Sequence, residues 1–106
     1  MTHDITLPDA CTSMTELRAA IDRLDARLVA MLALRQRYIE RAAILKKTRD
    51  AVRDEARIEE VVLHVQDEGK RAGLSPAIAE RVWHTLIEAS IAHEYQAFDV
   101  KTGAGL

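Results

Sequence analysis

The sequence predicts an all-α fold. It has three helices per chain, one long and N-terminal and two shorter, assembled as an intertwined helical homodimer. Three features of the chain point there. Ala, Leu, Ile, Glu and Arg dominate, and aromatic residues make up only 4% of the chain, a balance that favours helix over sheet. From Met14 to about Arg49 there is neither Pro nor Gly, and the apolar positions recur in alternating steps of three and four. Two later segments open with helix-capping residues, Asp54 and Ser75.

Residues 1–13 read as a flexible arm that contains Pro8 and polar turn formers. Ser13 or Thr15 can cap the first helix, because a short side-chain oxygen satisfies the free N–H groups of a first turn. The helix carries Leu17, Ile21, Leu24, Leu28, Leu32, Ile39 and Ala42 on one face. At 1.5 Å per residue it spans roughly 50 Å. A compact chain of this size has a radius of gyration of about 13 Å, so the stripe overhangs it. A second copy laid alongside would cover the exposed apolar surface, hence the expected dimer.

After a break near TRDAVRD, Asp54 caps a second helix, Glu55 to about Ala72, with Ile58, Val61, Val62 and Val65 on its apolar side. Gly73 stands where a left-handed terminal residue is expected. Ser75 caps the third helix and Pro76 occupies its first turn, where a missing N–H costs nothing. That helix is expected to reach about Phe98. The helical domain is thus 14–98, and 99–106 a flexible Gly-containing tail.

Fifteen basic residues against seventeen acidic ones leave a net charge of −2, which argues against a nucleic-acid partner but permits a local cationic pocket. The single cysteine, Cys11, cannot form an internal disulfide, so a reduced, cytoplasmic setting is expected. No apolar run approaches the roughly 20 residues of a membrane span. The N-terminus lacks the basic start and apolar middle of a signal peptide. His3, His64, His84 and His93 lack ligand spacing, so no metal site is expected.

Several polar residues stand on apolar faces. Arg35 and Lys46 both fall within about 40° of the centre of the first helix's stripe. Eleven residues apart, they share one face at a separation of about 16 Å. Long side chains can lean together and close on a small anion: arginine offers a planar fork, lysine a point charge. Alternatively, each can snorkel and send its charge to water. On the third helix, Ser90 and Glu94 lie within the stripe of Trp83, Ile87, Ile91 and Phe98. A buried carboxylate must pair with a cation or take up a proton. Two readings stay open for Glu94: a structural ion pair with Lys46 or Arg35, or a protonated carboxyl donating a hydrogen bond inside a pocket. Arg18 sits about 25 Å along the helix from Arg35. It cannot join such a pocket within one chain, but in an antiparallel dimer of this helix it could reach the partner's pocket.

The run LRAAIDRLDARLVAMLALRQRYIERAAILK, followed by VRDEAR and LIEASIAHE, resembles the small all-helical chorismate mutases and their relatives, the isochorismate-pyruvate lyases. The likeness covers about residues 14–98. It rests on an arginine in LRxxID, a second seventeen residues on and a lysine eleven further. It implies a dimer of three-helix protomers with two sites, each completed by an arginine of the other subunit, and no cofactor. By resemblance, Arg18 is that arginine, and Arg35 and Lys46 are in-chain ligands of the substrate's carboxylates and ether oxygen. Arg57 closes over a carboxylate, Asp54 matches an acidic motif position, and Ser90 lines the site. Glu94 falls where many members carry glutamine and others glutamate.

The implied catalytic residues are Lys46, Glu94 and Arg35, acting on a small dianion, chorismate or isochorismate. The implied reaction is the rearrangement of chorismate to prephenate in aromatic amino-acid biosynthesis. Ile58 replaces a glutamate with which some mutases bind the ring hydroxyl, a lyase-like trait. The retained serine of LIEAS is mutase-like, and DACTSM is reminiscent of the lyases. An isochorismate-pyruvate lyase, an aminodeoxychorismate mutase and a non-catalytic helical dimer with a regulatory role are the alternatives.

Overall fold

Helix α1 runs from Met14 to Leu45. In the computed structural model, which describes residues 5–103, its first turn is closed by Ser13 and not Thr15. The Ser13 hydroxyl accepts the Glu16 N–H at 3.1 Å, and the Glu16 carboxylate reaches back to the Thr12 N–H at 2.7 Å. Each side chain satisfies a donor that the opening turn leaves free.

At its other end α1 stops four residues short of the expected Arg49. Thr48 is extended, and a 3-10 turn, Arg49–Ala51, follows. This turn drives Val52 into the core, where it is buried. Burial of that one side chain outweighs the helix propensity of the residues around it.

Helix α2 spans Glu55–Ala72, as expected. The Asp54 carboxylate accepts the Arg57 N–H at 3.1 Å. Gly73, at φ 77°, ends the helix in the left-handed region. The Leu74 N–H donates to the Gly69 carbonyl at 2.8 Å and the Gly73 N–H to that of Lys70 at 3.4 Å, the paired closure that a left-handed glycine permits.

Helix α3 spans Pro76–Thr102, so it continues past Phe98 and takes in residues 99–102 of the expected tail. Pro76 occupies the first turn. Ser75 caps through its backbone carbonyl, which accepts the Ala79 N–H at 3.0 Å, while its hydroxyl makes no capping bond. The described part of the N-terminal arm holds a single 3-10 turn, Pro8–Ala10. The rest of that arm, residues 1–4 with His3, and residues 104–106 of the tail lie outside the described residues.

The chain divides into two units, one ending at Arg37 and one beginning at Tyr38. The second unit holds the core: Ala43, Val52, Ile87, Ile91 and Phe98, with Ile58, Val61, Val62, Trp83 and Tyr95 packed against it. In the first unit no described residue is buried. Leu24, Leu28 and Leu32 of the α1 stripe are 46%, 52% and 45% exposed. Among the described residues no helix is long and apolar enough to cross a membrane.

Candidate functional site at the end of the first helix

Glu94 lies on the buried face of α3, between Ile91 and Phe98, and is only 4% exposed. Its Oε2 stands 2.6 Å from the Lys46 ammonium. Lys46 follows the last residue of α1, and its N–H still bonds the Ala42 carbonyl at 2.9 Å. The same ammonium lies 3.4 Å from the Val52 carbonyl. The separation makes Lys46 and Glu94 an ion pair, but their approach is off-axis. Oε2 therefore has no directed hydrogen bond, and the pair is held by charge more than by alignment. Of the two readings open for Glu94, the structure displays the ion pair with Lys46. Such a pair can exchange partners with an entering anion, because neither group has its hydrogen-bonding capacity filled.

The segment after α1 is strapped to α3 by three further cations that sequence reasoning did not single out. The Lys101 ammonium donates to the carbonyls of Ala43, Ile44 and Lys46 at 2.9, 3.1 and 2.7 Å, and sits 4.5 Å from the centre of the Phe98 ring. Arg49 grips both oxygens of Asp99 at 2.9 and 3.3 Å and stacks 4.3 Å from the centre of the Tyr95 ring. Arg53 holds both oxygens of Glu88 at 3.0 Å and also pairs with Glu55. Hydrogen bonding from Arg49 holds the Asp99 carboxyl below its ordinary range, and hydrogen bonding from Arg53 does the same for Glu88. One signal was present in the sequence: no glycine follows α1, so its last carbonyls needed a donor from elsewhere.

The other expected site residues are placed as follows. Arg18 is exposed and Arg35 half-buried, both on α1 within the first unit. Ser90 is half-buried on α3, one turn before Glu94. Asp54 acts as the α2 cap, and the Arg57 guanidinium pairs with Glu60 on the exposed face of α2. Ile58 packs against the core. His93, beside Glu94, turns to Glu40 at 2.7 Å. The two line an open groove of about 510 Å³ with Ile44, Ala97 and Val100. Among the described residues no cluster of His, Cys, Asp or Glu has the makings of a metal site.

Fold and pair together define a class: an all-helical domain in which the end of the first helix presents an ammonium to a carboxyl buried on the third. Residues 17–95 match the family model described as Chorismate mutase type II, and the chain belongs to that family. It therefore carries a chorismate mutase-type domain, all-α as the sequence implied. A search of the curated proteins found no match.

Proposed function

We propose that this chain is a chorismate mutase, converting chorismate to prephenate by a cofactor-free [3,3] rearrangement in aromatic amino-acid biosynthesis. The observation that carries the reading is the buried Glu94 carboxyl against the Lys46 ammonium, in a chain of the chorismate mutase type II family. The working form is a cytoplasmic homodimer, and the half-exposed Leu24, Leu28 and Leu32 are the surface the partner covers. Arg18 from the partner protomer, Arg35, Lys46 and Arg57 bind the substrate's two carboxylates and ether oxygen. Asp54 caps the helix that carries Arg57, and Ser90 lines the pocket.

The chemistry follows from charge. The folded conformer needed for a pericyclic step is held by cationic clamps on the carboxylates. As the C–O bond breaks and the new C–C bond forms, negative charge grows on the ether oxygen. A donor aimed there binds the transition state more tightly than the substrate. Lys46 is one such donor. Glu94 is the second when it carries a proton; an ionised Glu94 repels the developing charge.

One observation favours a second reading. Ile58 is packed on the core and offers no acceptor for a ring hydroxyl. An isochorismate-pyruvate lyase, which eliminates pyruvate, tolerates that. The deciding experiment supplies purified protein with chorismate and, separately, with isochorismate, and follows substrate loss, prephenate and pyruvate. Prephenate from chorismate without pyruvate is the expected result. Pyruvate from isochorismate establishes the lyase, and turnover of neither overturns both readings in favour of an amino-analogue mutase or a non-catalytic helical module.

A further inference from the structure

We infer that Lys101 is a positioning residue for Lys46: from the last turn of α3 it clamps the carbonyl end of α1 and so fixes the base from which the Lys46 side chain projects. This rests on the mutase reading for its kinetic consequence, though not for its geometry.

Helices α2 and α3 both close on a left-handed glycine, Gly73 and Gly103. Helix α1 has no such residue; Lys46, Lys47 and Thr48 follow it. Its terminal carbonyls would otherwise depend on water. An ammonium has three donors, and Lys101 directs them at three carbonyls, those of Ala43, Ile44 and Lys46. The positive charge also matches the negative end of the helix dipole. The shortest of the three bonds, 2.7 Å, is to Lys46 itself. The base of the Lys46 side chain is thus tied to α3 through Lys101, and its tip to α3 through Glu94. Both anchor points lie on one helix, seven residues apart. Phe98, buried between them in sequence, carries the Lys101 ammonium over its ring and limits its sideways drift.

Without Lys101, the α1 end retains water as its partner, but water does not tie Lys46 to α3. A donor displaced by about 1 Å loses on the order of 100-fold in rate.

The test combines kinetics with nuclear magnetic resonance on Lys101→Met, Lys46→Ala and the double variant. Lys101→Met should lower kcat by about 10-fold or more with a smaller change in KM. In the Lys46→Ala background the same substitution should leave the residual rate within about 2-fold, because neighbours acting through one group are not additive. The Lys46 ammonium resonance should gain mobility in Lys101→Met, and Lys101→Arg, which restores donors and charge, should regain part of the order and of the rate. If Lys101→Met multiplies independently into the Lys46→Ala loss, or leaves the Lys46 ammonium as ordered as before, the positioning role is wrong. A wild-type protein that turns over no chorismate overturns the mutase reading alone, and the resonance measurement still decides the clamp. Should Lys101→Met fail to fold, Lys101→Gln, which keeps an N–H donor but neither the charge nor the three-way reach, provides the same readouts.

Discussion

Glu94 and Lys46 meet at 2.6 Å with side chains 5% and 29% exposed: one partner is inside the core and the other reaches water. That asymmetry makes Lys46 the member free to move and Glu94 the member that suffers if it does. Removing the cation alone leaves a carboxyl in an apolar setting, whereas removing both charges does not.

Lys46→Met should therefore destabilise the fold by about 1–3 kcal/mol, less than the roughly 3–5 kcal/mol of a fully buried broken pair because lysine is partly hydrated. The double variant Lys46→Met, Glu94→Met should recover most of that loss. Urea unfolding of the four proteins measures the coupling. Equal, additive losses would show that the two groups do not interact.

On activity, Lys46→Ala should lose about 3 kcal/mol of transition-state stabilisation, roughly 100-fold in kcat/KM, with its helical circular dichroism intact. A variant that retains most of its rate would remove Lys46 from the chemistry.

The donor role of Glu94 leads to a substitution signature. Glu94→Gln, which keeps an N–H donor and cannot ionise, should retain or raise kcat/KM, whereas Glu94→Ala, which has no donor, should lose on the order of 100-fold. Equal losses in both variants would dismiss Glu94 as a donor.

Acid should weaken the strap between the 49–53 segment and α3. Asp99 and Glu88 have their folded-state carboxyls lowered by hydrogen bonds from Arg49 and Arg53. The stability they contribute is therefore present above the ordinary carboxylate range of about 3.9–4.3 and lost as pH falls through their lower folded values. Asp99→Asn and Glu88→Gln should be less stable than wild type at neutral pH, and the gap should close below about pH 4. Both pairs are solvent-facing, so salt should narrow the gap at neutral pH as well. A gap that persists in acid would assign the effect to packing.

For the dimer, Leu28→Asp should convert a two-chain species to monomer in analytical ultracentrifugation, by placing a charge on the shared stripe. Mixing the impaired Arg18→Ala and Lys46→Ala variants should restore activity. A heterodimer then has one intact site, with Lys46 from one chain and Arg18 from the other. Statistical exchange gives about a quarter of wild-type activity. No recovery on mixing would place Arg18 outside the partner's site.

Local rules written in the chain set the helical class, the α2 boundaries and most of the capping. Periodicity marked the stripe of Leu24, Leu28 and Leu32, and an aspartate, a glycine and a proline at fixed places marked where α2 begins and ends and where α3 begins. The same 100° rule picked out Glu94 as a polar intruder on a buried face, which the structure bears out. Three-dimensional packing decided what no local rule encodes. Helix α1 stops at Leu45 because Val52 is needed in the core, and α3 runs on to Thr102. Lys101 serves helix α1 from more than fifty residues away. Helix signals depend on neighbours within a turn, whereas a helix end satisfied by a distant ammonium depends on how the chain folds back, and only tertiary structure brings those groups together.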